Sequence, residues 1–157
     1  MPAASPADPL APAAAWRQRL QPFEPRTLPH EGRRHAAVAL VLVEAGFGAE
    51  VPGLPRHETW SHAAALLLTR RAAALRAHAG QWALPGGRID EGETPERAAL
   101  RELHEEVALD LPAEAVLGRL DDYATRSGYV VTPVLVWAGA ARGLQPNPHE
   151  VASIHRV

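Results

Sequence analysis

Three carboxylates one helical turn apart, Glu102, Glu105 and Glu106, are the side chains of this sequence best suited to do chemistry. At i, i+3 and i+4 they fall within an arc of roughly 100° on a helix and form one acidic ridge. Like charges so placed repel, by a few tenths of a kcal/mol per pair. A hard divalent cation reverses that sign, because Mg²⁺ takes carboxylate oxygens, keeps several waters and recruits substrate phosphates. The other reading is a solvated acidic face. The surroundings favour the cation. Pro85-Gly86-Gly87 reads as a tight turn whose backbone can approach a ligand closely, Glu93 follows six residues after Gly87, and Arg101 adjoins the ridge. The eight His form no H-x3-H metal-ligand pair. With no Cys there is no disulfide, thiolate zinc site or cysteine nucleophile.

The element that must position the ridge is a helix. Thr94 is a plausible N-cap, Pro95 fits the first helical position and Glu96 suits the first turn. Ala99, Leu100, Leu103 and Val107 form an adjoining apolar stripe for a core, with Arg97 and His104 directed to solvent.

This stretch resembles the Nudix hydrolase box: a Gly, five residues, a Glu, seven residues, then R-E-aliphatic-x-E-E-x-G-aliphatic. Gly87, Glu93, Arg101, Glu102, Leu103, Glu105, Glu106 and Leu109 stand at the box's spacing. Ala108 replaces the box Gly, which normally ends the helix in a left-handed conformation where Ala costs on the order of 1 kcal/mol. The resemblance implies an α/β fold, an α/β/α sandwich with a mixed β-sheet. It further implies that Glu102 and Glu106, with the Gly86 carbonyl, hold Mg²⁺ or Mn²⁺. Glu105 shares a metal or takes the proton from the attacking water, Arg101 orients a glutamate, and Glu93 is a metal or water partner.

Upstream, Leu67 to Gly87 offers Arg70, Arg71, Arg76 and His78 in a short segment. Arg suits phosphate because its planar fork donates two parallel hydrogen bonds, while a solvated basic loop is the plainer reading. Leu67, Leu68, Thr69, Arg71, Ala72, Arg76, Gly80, Pro85, Gly86 and Gly87 resemble the signature of the coenzyme A diphosphatase branch of that family. With Gly87 and Arg88 at the turn, the four basic residues are the expected substrate-binding set. Asp121-Asp122-Tyr123, Ser127-Gly128-Tyr129 and the stretch from Asn147 also look like that branch. The Asp pair equally suits a turn, and Tyr129 equally suits sheet packing. Glu150 is either an additional acid near the metals or a surface residue before a strand. A MutT-like nucleotide hydrolase and a non-catalytic nucleotide sensor are the competing functions; MutT-like members lack the Leu67–Gly80 signature.

At 157 residues the chain is long enough for one domain with a real core. A net charge of −2 gives no basic footprint for polymeric nucleic acid. No 18-residue apolar run exists, and the N-terminus lacks the pattern of a signal peptide, so a cytoplasmic protein with a small-molecule partner is expected, with a homodimer compatible. Residues 1–33 read as a Pro/Ala-rich segment, partly disordered, with a short helix at Trp16 to Leu20; 34–157 read as the hydrolase domain. Members of the family generally continue with at least one more helix after the stretch that ends here at Val157, so either the chain is cut short or the fold is trimmed. His35 to Val43 and Ala63 to Thr69 read as buried strands, and Gly46 to Pro55 as a loop. Short strands are expected at Trp82 to Leu84 and Arg88-Ile89, and a long one at Tyr129 to Ala138, where Pro133 argues for an edge or a bulge.

Overall fold

A computed structural model of the chain describes residues 11–157. Two strands run parallel through its centre, β1 (Arg34–Gly48) and β7 (Tyr129–Gly139), in register from Arg34 opposite Tyr129 to Leu42 opposite Trp137. Antiparallel neighbours extend them: β2 (Arg56–Arg71) and β4 (Gly86–Arg88) on β1, β5 (Val116–Arg119) and β6 (Tyr123–Ala124) on β7, β3 (Trp82–Ala83) and β8 (Val151–Arg156) on β2. Helix α2 (Pro95–Val107) covers one face. Its Ala98, Ala99, Leu103 and Val107 pack on Ala37, Ala39, Val41 and Val43 of β1, Leu67 of β2, and Val134 and Val136 of β7. Helix α1 (Ala11–Leu20) lies over the opposite face, where Ala13, Trp16 and Leu20 meet Leu40, Leu42, Leu117, Leu135 and Trp137. Successive strand residues point to opposite faces, so burial on both sides explains the near-continuous apolar runs of β1 and β7. The result is an α/β/α sandwich around a mixed sheet.

Several elements differ from the sequence reading. The N-terminal helix begins at Ala11 rather than Trp16, with Ala13 fully buried, and residues 1–10 lie outside the described residues. The β1–β2 hairpin is longer than its apolar core. Beyond Glu44 and Ala64 it continues, through Ala45, Gly46 and Phe47 on β1 and mostly polar residues on β2, to Gly48 opposite Arg56, with register irregularities on the way, so the connecting loop begins only after Gly48. Pro133 sits in the middle of the sheet, opposite Val38 of β1, not on an edge. Its carbonyl accepts from the Leu120 N–H at the end of β5. The missing Pro N–H therefore faces the break between β5 and β6, where little pairing is lost.

The Asp121-Asp122 pair ties down the chain before β1. Asp121 accepts from the Arg26 N–H and Asp122 from the Leu28 N–H at 3.0 Å. Buried Thr132 donates to Asp122 at 2.7 Å and bonds His35 Nε2 at 2.8 Å, which leaves the imidazole as donor. Burial, with His30 stacked on the ring, holds His35 below its ordinary pKa, and Asp122 opposes that shift.

Candidate active site

The acidic ridge is fixed by its helix ends. Thr94 caps α2 by accepting from the Arg97 N–H at 3.2 Å, and Pro95 occupies the first helical position. At the other end Ala108 takes the left-handed conformation, φ 56°, and its N–H bonds the His104 carbonyl. The replacement of Gly therefore leaves the terminus in its αL geometry, at a cost of about 1 kcal/mol. The last turn gains two donors from far along the chain, Gln145 N–H on the Val107 carbonyl and Asn147 N–H on that of Glu106. The loop that makes those bonds carries Glu150 to the ridge.

Arg101 is the hub. Its guanidinium grips both oxygens of Glu93 at 2.9 and 3.0 Å, reaches Glu102 at 3.0 Å and Glu105 at 3.3 Å, and donates to the Arg88 carbonyl at 3.0 Å. Such a fork with all arms engaged orders three carboxylates and the turn at once. The Arg101 hydrogen bonds hold the Glu93 carboxyl below its ordinary pKa.

Glu102 and Glu106 face a cleft of about 410 Å³, lined also by Thr69, Arg71, Gly86, Gly87, Arg88 and Glu150. The tight turn expected at Pro85-Gly86-Gly87 is instead a bend at Pro85 followed by strand β4, whose Gly86 and Gly87 pair with Val38 and Ala37 of β1. Neither glycine tolerates a side chain. A Cβ on Gly87 would collide with the Glu102 carboxylate, and one on Gly86 with the backbone of β1. Burial, reinforced by Glu102 and Glu150, pushes the Glu106 carboxyl up to about 8, against the opposing pull of the Gly86 N–H and Arg71. Burial likewise raises Glu102, with Glu105 and Glu150 adding to it and Arg101 opposing. Charged carboxylates in this position are short of positive charge, and a hard divalent cation with oxygen ligands is what the donor set suits. Among the described residues no group of three or more acidic or His side chains is gathered closely enough to hold an ion unaided. An open arrangement matches an ion that keeps waters and shares substrate phosphates.

The expected residues do not all gather here. Glu102, Glu106, Gly86, Gly87, Arg71, Arg88 and Glu150 line the cleft. Glu105, expected to share a metal or take the water proton, is outside the lining, half-exposed and bonded to Arg101. Glu93, expected as a metal or water partner, is outside the lining and spends both oxygens on Arg101. Arg70, paired opposite Trp82 one residue out of step with Thr69, lies over the Trp82 ring at 5.3 Å and bonds the Gly80 carbonyl. His78 bonds Gln81, and Arg76 is exposed; neither lines the cleft. The capping by Gln145 and Asn147 is carried by backbone N–H groups, which leave no residue signature; in the sequence only the Asn-Pro turn signal at 147–148 and the family-like stretch from Asn147 mark the place.

The Nudix domain family matches residues 33–156. Nudix hydrolases called NudL are similar over 93 residues, 59% of this chain: the Photorhabdus laumondii protein at 46% identity and a Yersinia pestis protein at 44%. The chain spans about half the length of these relatives, 50% and 47%. Among solved structures, the Nudix hydrolase RenU of M. smegmatis superimposes with a TM-score of 0.56 at 34% identity, over 80% of this chain and 70% of that one. A C. elegans Ap4A hydrolase shares the fold, with a TM-score of 0.52 at 20% identity, over 77% of each chain. Fold and cleft define an α/β/α protein that carries its acidic centre on one helix against a glycine strand. The chain belongs to the Nudix hydrolase family.

Proposed function

We propose that this protein hydrolyses a diphosphate linkage in a nucleoside diphosphate derivative, with coenzyme A or its thioesters as substrate and Mg²⁺ or Mn²⁺ as cofactor. The observation that carries the reading is the convergence of Glu102, Glu106 and Glu150 with Arg71 and the Gly86-Gly87 stretch of β4 around one cleft. Arg71 belongs to the upstream signature that resembles the coenzyme A diphosphatase branch, which supports that substrate over the triphosphates of MutT-like enzymes.

Glu102 and Glu106 would hold the metal, with Glu150 beside them. A divalent ion held there would supply charge neutralisation for the diphosphate and polarisation of its phosphoryl oxygens. Arg71 and Arg88 receive phosphate oxygens through their forked donors. Arg101 fixes the direction of Glu102 and Glu105, so that the attacking water meets an ordered carboxylate. Glu105, open to solvent on one side, takes the water proton as a P–O bond forms and the bridging P–O bond breaks. With coenzyme A the products are phosphopantetheine and adenosine 3′,5′-bisphosphate.

The test is hydrolysis of coenzyme A against a panel of nucleoside triphosphates and dinucleotides with Mg²⁺ and Mn²⁺, products resolved by chromatography. Adenosine 3′,5′-bisphosphate with the highest kcat/KM for coenzyme A is expected. Preference for a triphosphate overturns the substrate assignment, and no turnover on any substrate overturns the activity. Glu105→Gln keeps shape and removes charge; we expect near-loss of kcat with an unchanged fold, and full activity would remove Glu105 from the proton step.

A further inference from the structure

A second hollow, of about 490 Å³, opens beside the far end of the β1–β2 hairpin. Phe47, Glu50, Trp60, Arg142, Leu144 and Arg156 are among its walls. Its size falls within the range of ligand pockets. The Trp60 indole is its fixed part. Phe47 meets the ring edge-on at 5.5 Å between centroids, and Gly46 lies so close that a Cβ there would come within 3.2 Å of it. Arg142 lies over the ring at 3.8 Å and Arg156 at 5.1 Å.

The two guanidinium groups differ in what remains free. Arg156 is satisfied by the carbonyls of Glu44, Ala140 and Ala141. Arg142 is exposed and makes no ion pair among the described residues. The nearby carboxylate, Glu44, is occupied by the Trp60 indole N–H and by His62 at 3.0 Å. Arg142 thus presents a flat cation with unused edge donors at the mouth of an aromatic hollow. Phe47, 55% exposed, offers a bare ring beside it. Two of the non-glycine residues with positive φ, Glu50 (57°) and Ala141 (45°), also stand in these walls. Strained backbone of this kind gathers at binding sites. The Arg142 loop is the one whose Gln145 and Asn147 N–H groups bond the end of α2 and which carries Glu150.

We propose that this hollow binds a nucleoside monophosphate, its base stacked on Phe47 and its phosphate on the edge donors of Arg142, separately from the acidic cleft. The proposal does not depend on the hydrolytic reading, because its readout is binding. Calorimetric titration of adenosine 5′-monophosphate in chelator, without divalent metal, is the experiment. It is run on the full chain and on Arg142→Ala, Phe47→Ala and Glu106→Gln, the first two being exposed positions. Expected are one saturable site in the parent chain, at least tenfold weaker binding in Arg142→Ala and in Phe47→Ala, and unchanged binding in Glu106→Gln. Ribose 5-phosphate should bind at least tenfold more weakly than the nucleotide. No saturable binding, binding that survives Arg142→Ala, or binding lost in Glu106→Gln overturns the proposal. Equal affinity for ribose 5-phosphate overturns the stacking on Phe47.

Discussion

Replacing Glu106 by Gln should stabilise this protein at pH 8 when divalent metal is absent. Burial and the neighbouring Glu102 and Glu150 lift the Glu106 carboxyl from an ordinary 4.5 to about 8. A group whose folded pKa lies above its unfolded one contributes stability that is fully present below about pH 4.5. That contribution is lost as pH rises toward 8. At about 1.4 kcal/mol for each pH unit between the two values, the ceiling is about 5 kcal/mol. Gln keeps the shape and a carbonyl oxygen for the Gly86 N–H but never ionises, so it escapes the loss. For a domain of this size 1 kcal/mol moves Tm by roughly 2–4 °C, which puts the gain on the order of 10 °C. The assay is thermal unfolding followed by circular dichroism, in chelator, at pH 5 and pH 8, for both proteins. Near-equal Tm at pH 5 and a higher Tm for the Gln variant at pH 8 are expected. Added Mn²⁺ should then raise the parent protein more than the variant. A variant no more stable than the parent at pH 8 in chelator would refute the view that uncompensated carboxylate charge defines this cleft.

Arg101→Lys replaces a five-donor fork by a point charge that cannot serve Glu93, Glu102, Glu105 and the Arg88 carbonyl together. Mn²⁺ affinity measured by titration should fall on the order of 10–100-fold, and parent-like affinity would show that the clamp is dispensable. Gly87→Ala drives a methyl into the Glu102 carboxylate, so it should cost about 1–3 kcal/mol in urea unfolding and weaken Mn²⁺ binding. Ala108→Gly relieves the left-handed helix end and should raise stability by about 0.5–1 kcal/mol, read as a shift in the urea midpoint with the slope unchanged. Asp122→Ala strands the Leu28 N–H and the buried Thr132 hydroxyl and should cost about 1–3 kcal/mol. A loss below a few tenths would mean that water replaces the carboxylate.

The parts of the molecule governed by local chemistry are legible in the order of its residues. Thr94 and Pro95 start a helix because an N-cap oxygen and a missing N–H suit the first turn, and the 3.6-residue repeat then places Ala99, Leu103 and Val107 inward and the three glutamates together. The family box was legible for the same reason, since its spacing is a helix face plus a glycine pair, although the pair reads as a turn and is a strand bonded to β1. Tertiary structure decided the rest. Arg70 and Arg71 are equivalent in composition, yet the two-residue alternation of β2 directs Arg71 to the cleft and Arg70 to Trp82 on the opposite face. Glu93 and Glu102 are both acids in the box, yet the Arg101 fork takes both Glu93 oxygens and leaves Glu102 facing the cleft. Glu150 reaches the cleft only because backbone N–H groups of its loop cap the end of α2, and backbone groups carry no residue signature. The unusual proton affinity of Glu106 is likewise absent from its sequence position, since burial and the distance to other charges exist only once the sheet, the helix and that loop have closed around it.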